Sequence, residues 1–180
     1  MSAPSVVDQD QLDELGISTS TTSVDEKKSP YENLVTYLSK RKIKYKEFEH
    51  KPVKTSEEAA RERGTDLKQG AKALVMYADK NPVMLVVSAA TKVDFKLFKK
   101  AFSVKDLRMA TPEEALKLTG IKIGAIHPIG VLFNLPTYID EKLSENGSVI
   151  FNAGEHTKSF EIKYKDLVLA TQPNTESFTK

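Results

Sequence analysis

The chain has 180 residues, of which 39% are hydrophobic and 29% charged, with a formal net charge of +2 and no cysteine. This suits one globular domain with a tail. It excludes disulfides, thiolate metal sites and a cysteine nucleophile, and it leaves affinity for a polyanion to local lysine clusters rather than overall charge.

Residues 1–28 are polar, without an apolar period, and are predicted to be a disordered extension in which "DQLDELGI" is a short stretch able to form a helix on a partner. They lack the basic start and apolar stretch of a signal peptide, and no run in the chain approaches the roughly 20 apolar residues that span a bilayer. A cytoplasmic protein with no membrane partner is expected. The ordered domain is expected over residues 29–170. Ser29 is suited to cap a helix and Pro30 to open its first turn, with Tyr31, Leu34, Val35 and Leu38 at helical spacing. A weak strand is read in "KYKEFEH". In "KTSEEAARERG", Thr55 and Glu58 form a capping box and Gly64 ends a short helix.

"KALVMYADKNPVMLVVSAA" contains two apolar β-rich runs about a polar turn, which predicts a hairpin at the centre of a sheet. "VDFKLFKKAF" is an amphipathic helix, and "TPEEALKLTG" another, with Thr111 and Glu114 as its capping box. An Asn146-Gly147 turn leads into a strand through "SVIFN", "KSFEIKY" alternates as a further strand, and "YKDLVLA" forms a short closing helix. Residues 171–180 are expected as a polar tail. Strands outnumber helices without strict alternation, which predicts a mixed α/β fold. Neither a P-loop nor a dinucleotide fingerprint is present.

Three places stand out chemically. Lys72 opens the most apolar strand, and either reaches the sheet edge or points into a cleft. In "GAIHPIG", Gly124 has backbone freedom and Pro128 has none, so the segment forms either a rigid turn with exposed peptide groups, suited to a ligand, or an ordinary connection. Asn152, Gly154 and His156 follow directly on an apolar strand, as a binding rim or as surface residues. The three histidines, His50, His127 and His156, are far apart in sequence and carry no zinc-site spacing.

"HKPVKTSEEAA", "GAKALVMY", "KVDFKLFKKAF", "RMATPEEALKLTGIKIGAIHPIG" and "IFNAGEHTKSFEIKYKDL" together, in this order, resemble the YbaK/ProX family of aminoacyl-tRNA editing domains, relatives of the inserted editing domain of bacterial prolyl-tRNA synthetases. The resemblance runs from about His50 to Leu167. It implies a single compact mixed α/β domain around a curved, largely antiparallel sheet flanked by helices. It also implies hydrolysis of the ester of a mischarged small amino acid, alanine or cysteine, on tRNA, chiefly tRNA-Pro, with no metal or organic cofactor. Lys72 matches the family's lysine on the central strand, and Gly124 and Pro128 match its Gly-x-x-x-Pro loop, with Ile126 inside it. Asn152, Gly154 and His156 match the segment bordering the pocket, and Thr55 the threonine opening the early helix. On this basis Lys72, Gly124 and His156 are expected to be catalytic, and Thr55, Ile126, His127, Pro128, Asn152 and Gly154 to contact substrate. His127 departs from the small or polar residue usual before the loop proline, so it is expected at the pocket rim, where it bears on amino-acid preference. The alternative is a catalytically weak tRNA-binding adapter in a synthetase complex; a third reading is an editing domain cut from a longer synthetase.

Overall fold

Four of the five α-helices among the described residues begin where a side chain satisfies their free amides. A computed structural model describes residues 24–180, so the "DQLDELGI" segment lies outside the described residues. Helix α1 (Pro30–Lys40) starts at Ser29, whose hydroxyl accepts from the Glu32 amide while the Glu32 carboxylate accepts from the Ser29 amide. Thr55 with Glu58, and Thr111 with Glu114, repeat the device at α2 (Ser56–Arg63) and α4 (Pro112–Thr119). Between them Asp94 caps α3 (Phe95–Ala101). The last helix, α5, is Tyr164–Thr171.

The predicted hairpin is formed by β2 (Ala71–Ala78) and β3 (Asn81–Ser88). Its two turn residues, Asp79 and Lys80, have φ of +46° and +71°, the sense that matches the strand twist. Together with β4 (Leu107–Met109), β5 (Thr137–Asp140) and β8 (Asn174–Glu176) it makes a five-stranded sheet of order β4-β2-β3-β5-β8, with β3, β5 and β8 mutually parallel. The other strands, β1 (Lys46–Glu49), β6 (Ser148–Asn152) and β7 (Lys158–Lys163), form an antiparallel sheet of order β1-β7-β6. A parallel bridge from Gly70 to Ile150 joins the two. The expected mixed α/β, largely antiparallel domain is present, but its strands are divided between two sheets rather than lying in one curved sheet.

The apolar continuity of β3 follows from burial on both faces. Met84 and Val86 join the main core with Leu34, Leu38, Phe151 and Phe160. Leu85 and Val87 point the other way, into a second core with Phe98 and Phe178.

Residues 171–180 are not a loose tail. Phe178 is fully buried and meets the Phe98 ring edge-on at 5.2 Å. The buried Asp140 carboxylate accepts from the Phe178 amide at 2.7 Å and the Thr179 hydroxyl at 3.0 Å. In "GVLFNL", Gly130–Phe133 forms a 3-10 turn that delivers Leu132 and Leu135 to the core.

Candidate functional site

The seam between the two sheets creates the site. Beyond the Gly70–Ile150 bridge, the start of β2 and the end of β6 border a cleft of about 90 Å3, room for several waters or a small side chain. Its polar lining is Lys54, Thr55, Ser56, Arg63, Lys72 and Asn152; Val53, Ala59, Ala73, Ala89, Ile126 and Ile150 supply apolar surface. Gly124 closes one side. No carboxylate or histidine is among these lining residues.

Lys72 takes the cleft position rather than the sheet edge. It is half-buried, and its ammonium donates to the Thr91 carbonyl at 3.0 Å. Burial pushes its pKa below the ordinary lysine value, with Glu57 opposing the shift and Lys92 adding to it. Among the described residues neither Lys72 nor Arg63 forms an ion pair. The cleft therefore carries cationic groups that no direct ion pair neutralises among the described residues, with Glu57 acting on Lys72 from farther away.

The loop after α4 is held by its carbonyls. The Asn152 side-chain amide donates to the Gly124 oxygen, the Gly154 amide donates to the Ala125 oxygen at 3.0 Å, and the His156 Nε2 lies 3.3 Å from the Ile123 oxygen. Three consecutive carbonyls are thus engaged by the end of β6 and the turn that follows it. Among the described residues the Gly124 and Ile126 amides have no protein partner.

Of the residues singled out from the sequence, Thr55, Lys72, Gly124, Ile126 and Asn152 meet at this cleft. Gly154 and His156 do not line it; they grip the loop from behind. Gly154 has φ of +84°, and a Cβ there would meet the Tyr31 amide at 3.2 Å, so turn geometry and packing on α1 require the glycine. Pro128 is buried and does not line the cleft.

His127 is not at the cleft rim. It is 1% exposed, stacks on Phe133 with ring centroids 4.7 Å apart, and accepts the Ile129 amide on Nδ1 at 3.2 Å. It borders a separate cavity with Leu118, Leu132 and Phe133. Burial pushes its pKa down to about 3, so the ring is neutral at pH 7. An isolated histidine among Ile, Pro and Ile reads equally as rim or core in sequence; the packing makes it core.

Sequence reasoning missed Arg63, which follows an exposed-looking "EEAARE" pattern. The helix nevertheless turns it inward, where its Nη1 donates to the Ser159 hydroxyl at 3.0 Å. Its position one residue before the helix-ending Gly64 gave no signal of this.

The aminoacyl-tRNA editing domain family matches residues 50–169. The multifunctional Ser/Thr-tRNA deacylase ProXp-y of Escherichia coli K12 is 33% identical over 155 residues, covering 83% of this chain and 93% of the relative. A protein of Enterococcus faecalis assigned as Cys-tRNA(Pro)/Cys-tRNA(Cys) deacylase EbsC is 27% identical over 134 residues, covering 72% of this chain and 82% of the relative. A crystal structure assigned as a trans-editing enzyme for prolyl-tRNA synthetase superposes with a TM-score of 0.74 at 27% identity, covering 88% of this chain and 99% of that one.

Proposed function

The chain belongs to the aminoacyl-tRNA editing domain family, and from that premise we propose that its inter-sheet cleft receives the 3′ end of a mischarged tRNA and hydrolyses the ester of a small amino acid. The activity class, aminoacyl-tRNA deacylation, accords with the family and with the named relatives. The finer reading is that the substrate carries alanine, serine or cysteine on tRNA-Pro. The observation that carries it is the meeting of Lys72, Thr55, Gly124, Ile126 and Asn152 around one small cleft.

In this reading a water oxygen attacks the ester carbonyl carbon, and negative charge develops on the carbonyl oxygen. Lys72 has hydrogens to spare beyond the one given to Thr91, and the Gly124 and Ile126 amides are unengaged among the described residues. Donors held in place before the reaction stabilise such charge without reorganising. Lys72 serves this role or holds the phosphate of the terminal adenosine and so positions the ester. Collapse breaks the bond to the ribose oxygen, which leaves with the proton released by the attacking water. No carboxylate or histidine is among the described residues lining the cleft; in this reading the proton passes through water or the vicinal ribose hydroxyl.

The small apolar floor of Ala59, Ala73 and Ala89 selects by size, admitting small side chains and excluding larger ones. The tRNA body meets the face beside the cleft, where Lys92, Lys96 and Lys100 are exposed with Phe95 and Leu97. Such a surface offers both phosphate contacts and apolar contact area. The test of the tRNA assignment is to charge serine onto tRNA-Pro and onto tRNA-Ser and compare release rates. Faster release from tRNA-Pro supports the reading; equal rates exclude a preference for that tRNA.

A further inference from the structure

Behind the cleft lies a chain of hydrogen bonds that ends on the loop. Ser159 on β7 is fully buried and sits opposite Asn152 on β6 in the strand register. Its hydroxyl accepts from Arg63 Nη1 at 3.0 Å and donates to Asn152 Oδ1 at 3.1 Å. His50 Nε2 lies 2.8 Å from the same oxygen. The Asn152 amide nitrogen in turn donates to the Gly124 carbonyl. Arg63, Asn152 and Gly124 line the cleft, whereas Ser159 does not.

A serine hydroxyl has one hydrogen and two acceptor lone pairs. Arg63 only donates, so it occupies one lone pair. The hydroxyl hydrogen goes to Asn152 Oδ1, while His50, whose Nδ1 lies 2.9 Å from the Lys51 carbonyl, sets its Nε2 against the same hydroxyl. That fixes which end of the Asn152 amide faces Ser159, and therefore which end faces Gly124. The amide must turn its NH2 toward the loop, where a carbonyl waits. The Gly124 carbonyl only accepts, so it demands the same orientation from the other end; Ser159 and Gly124 hold the Asn152 amide between them, and losing the Ser159 hydroxyl leaves its Oδ1 end untied. Buried networks of this kind hold their members in one arrangement, although the Arg63 Nε is buried here without a partner among the described residues.

We propose that Ser159 is a positioning residue for deacylation, joining Arg63 on α2 to the Gly124 loop through Asn152. It acts at a distance from the substrate and sets the orientation of the cleft wall. The inference rests on the cleft being the deacylation site, and its test separates the two claims.

Ser159→Ala, Asn152→Ala and the double variant are compared with wild type for kcat and KM on mischarged tRNA, for melting temperature, and for hydrogen exchange at the Gly154 amide, which bonds to Ala125 of the same loop. Ser159→Ala is expected to lower kcat by about 10- to 100-fold, with a much smaller change in KM, as misplacement of a cleft wall does. The double variant is expected to be no slower than the worse single variant, because both break the same connection. Ser159→Thr, which restores the hydroxyl, is expected to recover kcat. Exchange at Gly154 is expected to quicken in Ser159→Ala. Multiplicative losses in the double variant, or a lowered melting temperature with unchanged kcat, would overturn the proposal. Should wild type release no amino acid, the functional reading fails, and unchanged exchange at Gly154 in Ser159→Ala then overturns the positioning role independently.

Discussion

The Lys72 ammonium is tied to the Thr91 carbonyl at 3.0 Å, across the start of β2 and the turn that follows β3. This bond aims the side chain while leaving its other hydrogens to the cleft. Replacing Lys72 by Ala removes a half-buried cation that has no ion-pair partner among the described residues. Stability is expected to change by less than about 1 kcal/mol, while deacylation falls by roughly 100-fold or more, the scale of losing one charge-stabilising donor. Melting curves and single-turnover rates on the same preparations check both parts. A parallel loss of fold and activity would mark Lys72 as structural.

Gly124→Ala is expected to act through the backbone. The glycine has φ of +94°, and a Cβ there would point at His156, 3.3 Å from its Nε2, rather than into the cleft. The expected effect is therefore strain of about 1–3 kcal/mol and a displaced loop carbonyl rather than a filled pocket. Deacylation is expected to drop for every amino acid alike. A change in which amino acid is released, with the rate for others intact, would mean the methyl does reach the substrate.

His127 makes stability pH-dependent. Its folded pKa is about 3, against roughly 6.5 in an unfolded chain. Between these values the unfolded state binds a proton that the folded state refuses, so stability is fully present above about pH 6.5 and declines as pH falls toward 3. His127→Leu keeps an apolar body and cannot titrate. Its melting temperature is expected to fall less than that of wild type between pH 7 and pH 4.5, with amino-acid preference unchanged. Identical pH slopes for the two proteins would contradict a buried neutral ring.

The C-terminal segment belongs to the domain. Phe178→Ala empties a fully buried site between Phe98 and Phe102 and is expected to cost about 3–5 kcal/mol, read as a lowered denaturant midpoint. An unchanged midpoint would return residues 171–180 to the status of a tail.

How much of this was legible beforehand depends on the kind of signal. The helices with capping boxes at Thr55 and Thr111 and the β2–β3 hairpin announce themselves, because caps and turn residues are local chemistry. Strands β4, β5 and β8 have three, four and three residues, too short for a period. β8 is also fully exposed along its length, and its place depends on Asp140, some 35 residues upstream. Lys72, Gly124 and Asn152, singled out through family motifs, line the candidate cleft. Arg63 and Ser159 were not legible, since a polar residue at the end of a helix or within an alternating strand looks solvated until the two sheets close over it.

The most direct test of the central claim is release of amino acid from tRNA-Pro charged in turn with alanine, serine, cysteine and proline, using wild type and Lys72→Ala. The account predicts that wild type frees at least one of the three small amino acids well ahead of proline, and that Lys72→Ala loses this activity. Equal rates for the two proteins, or proline released as fast as the small residues, would contradict it.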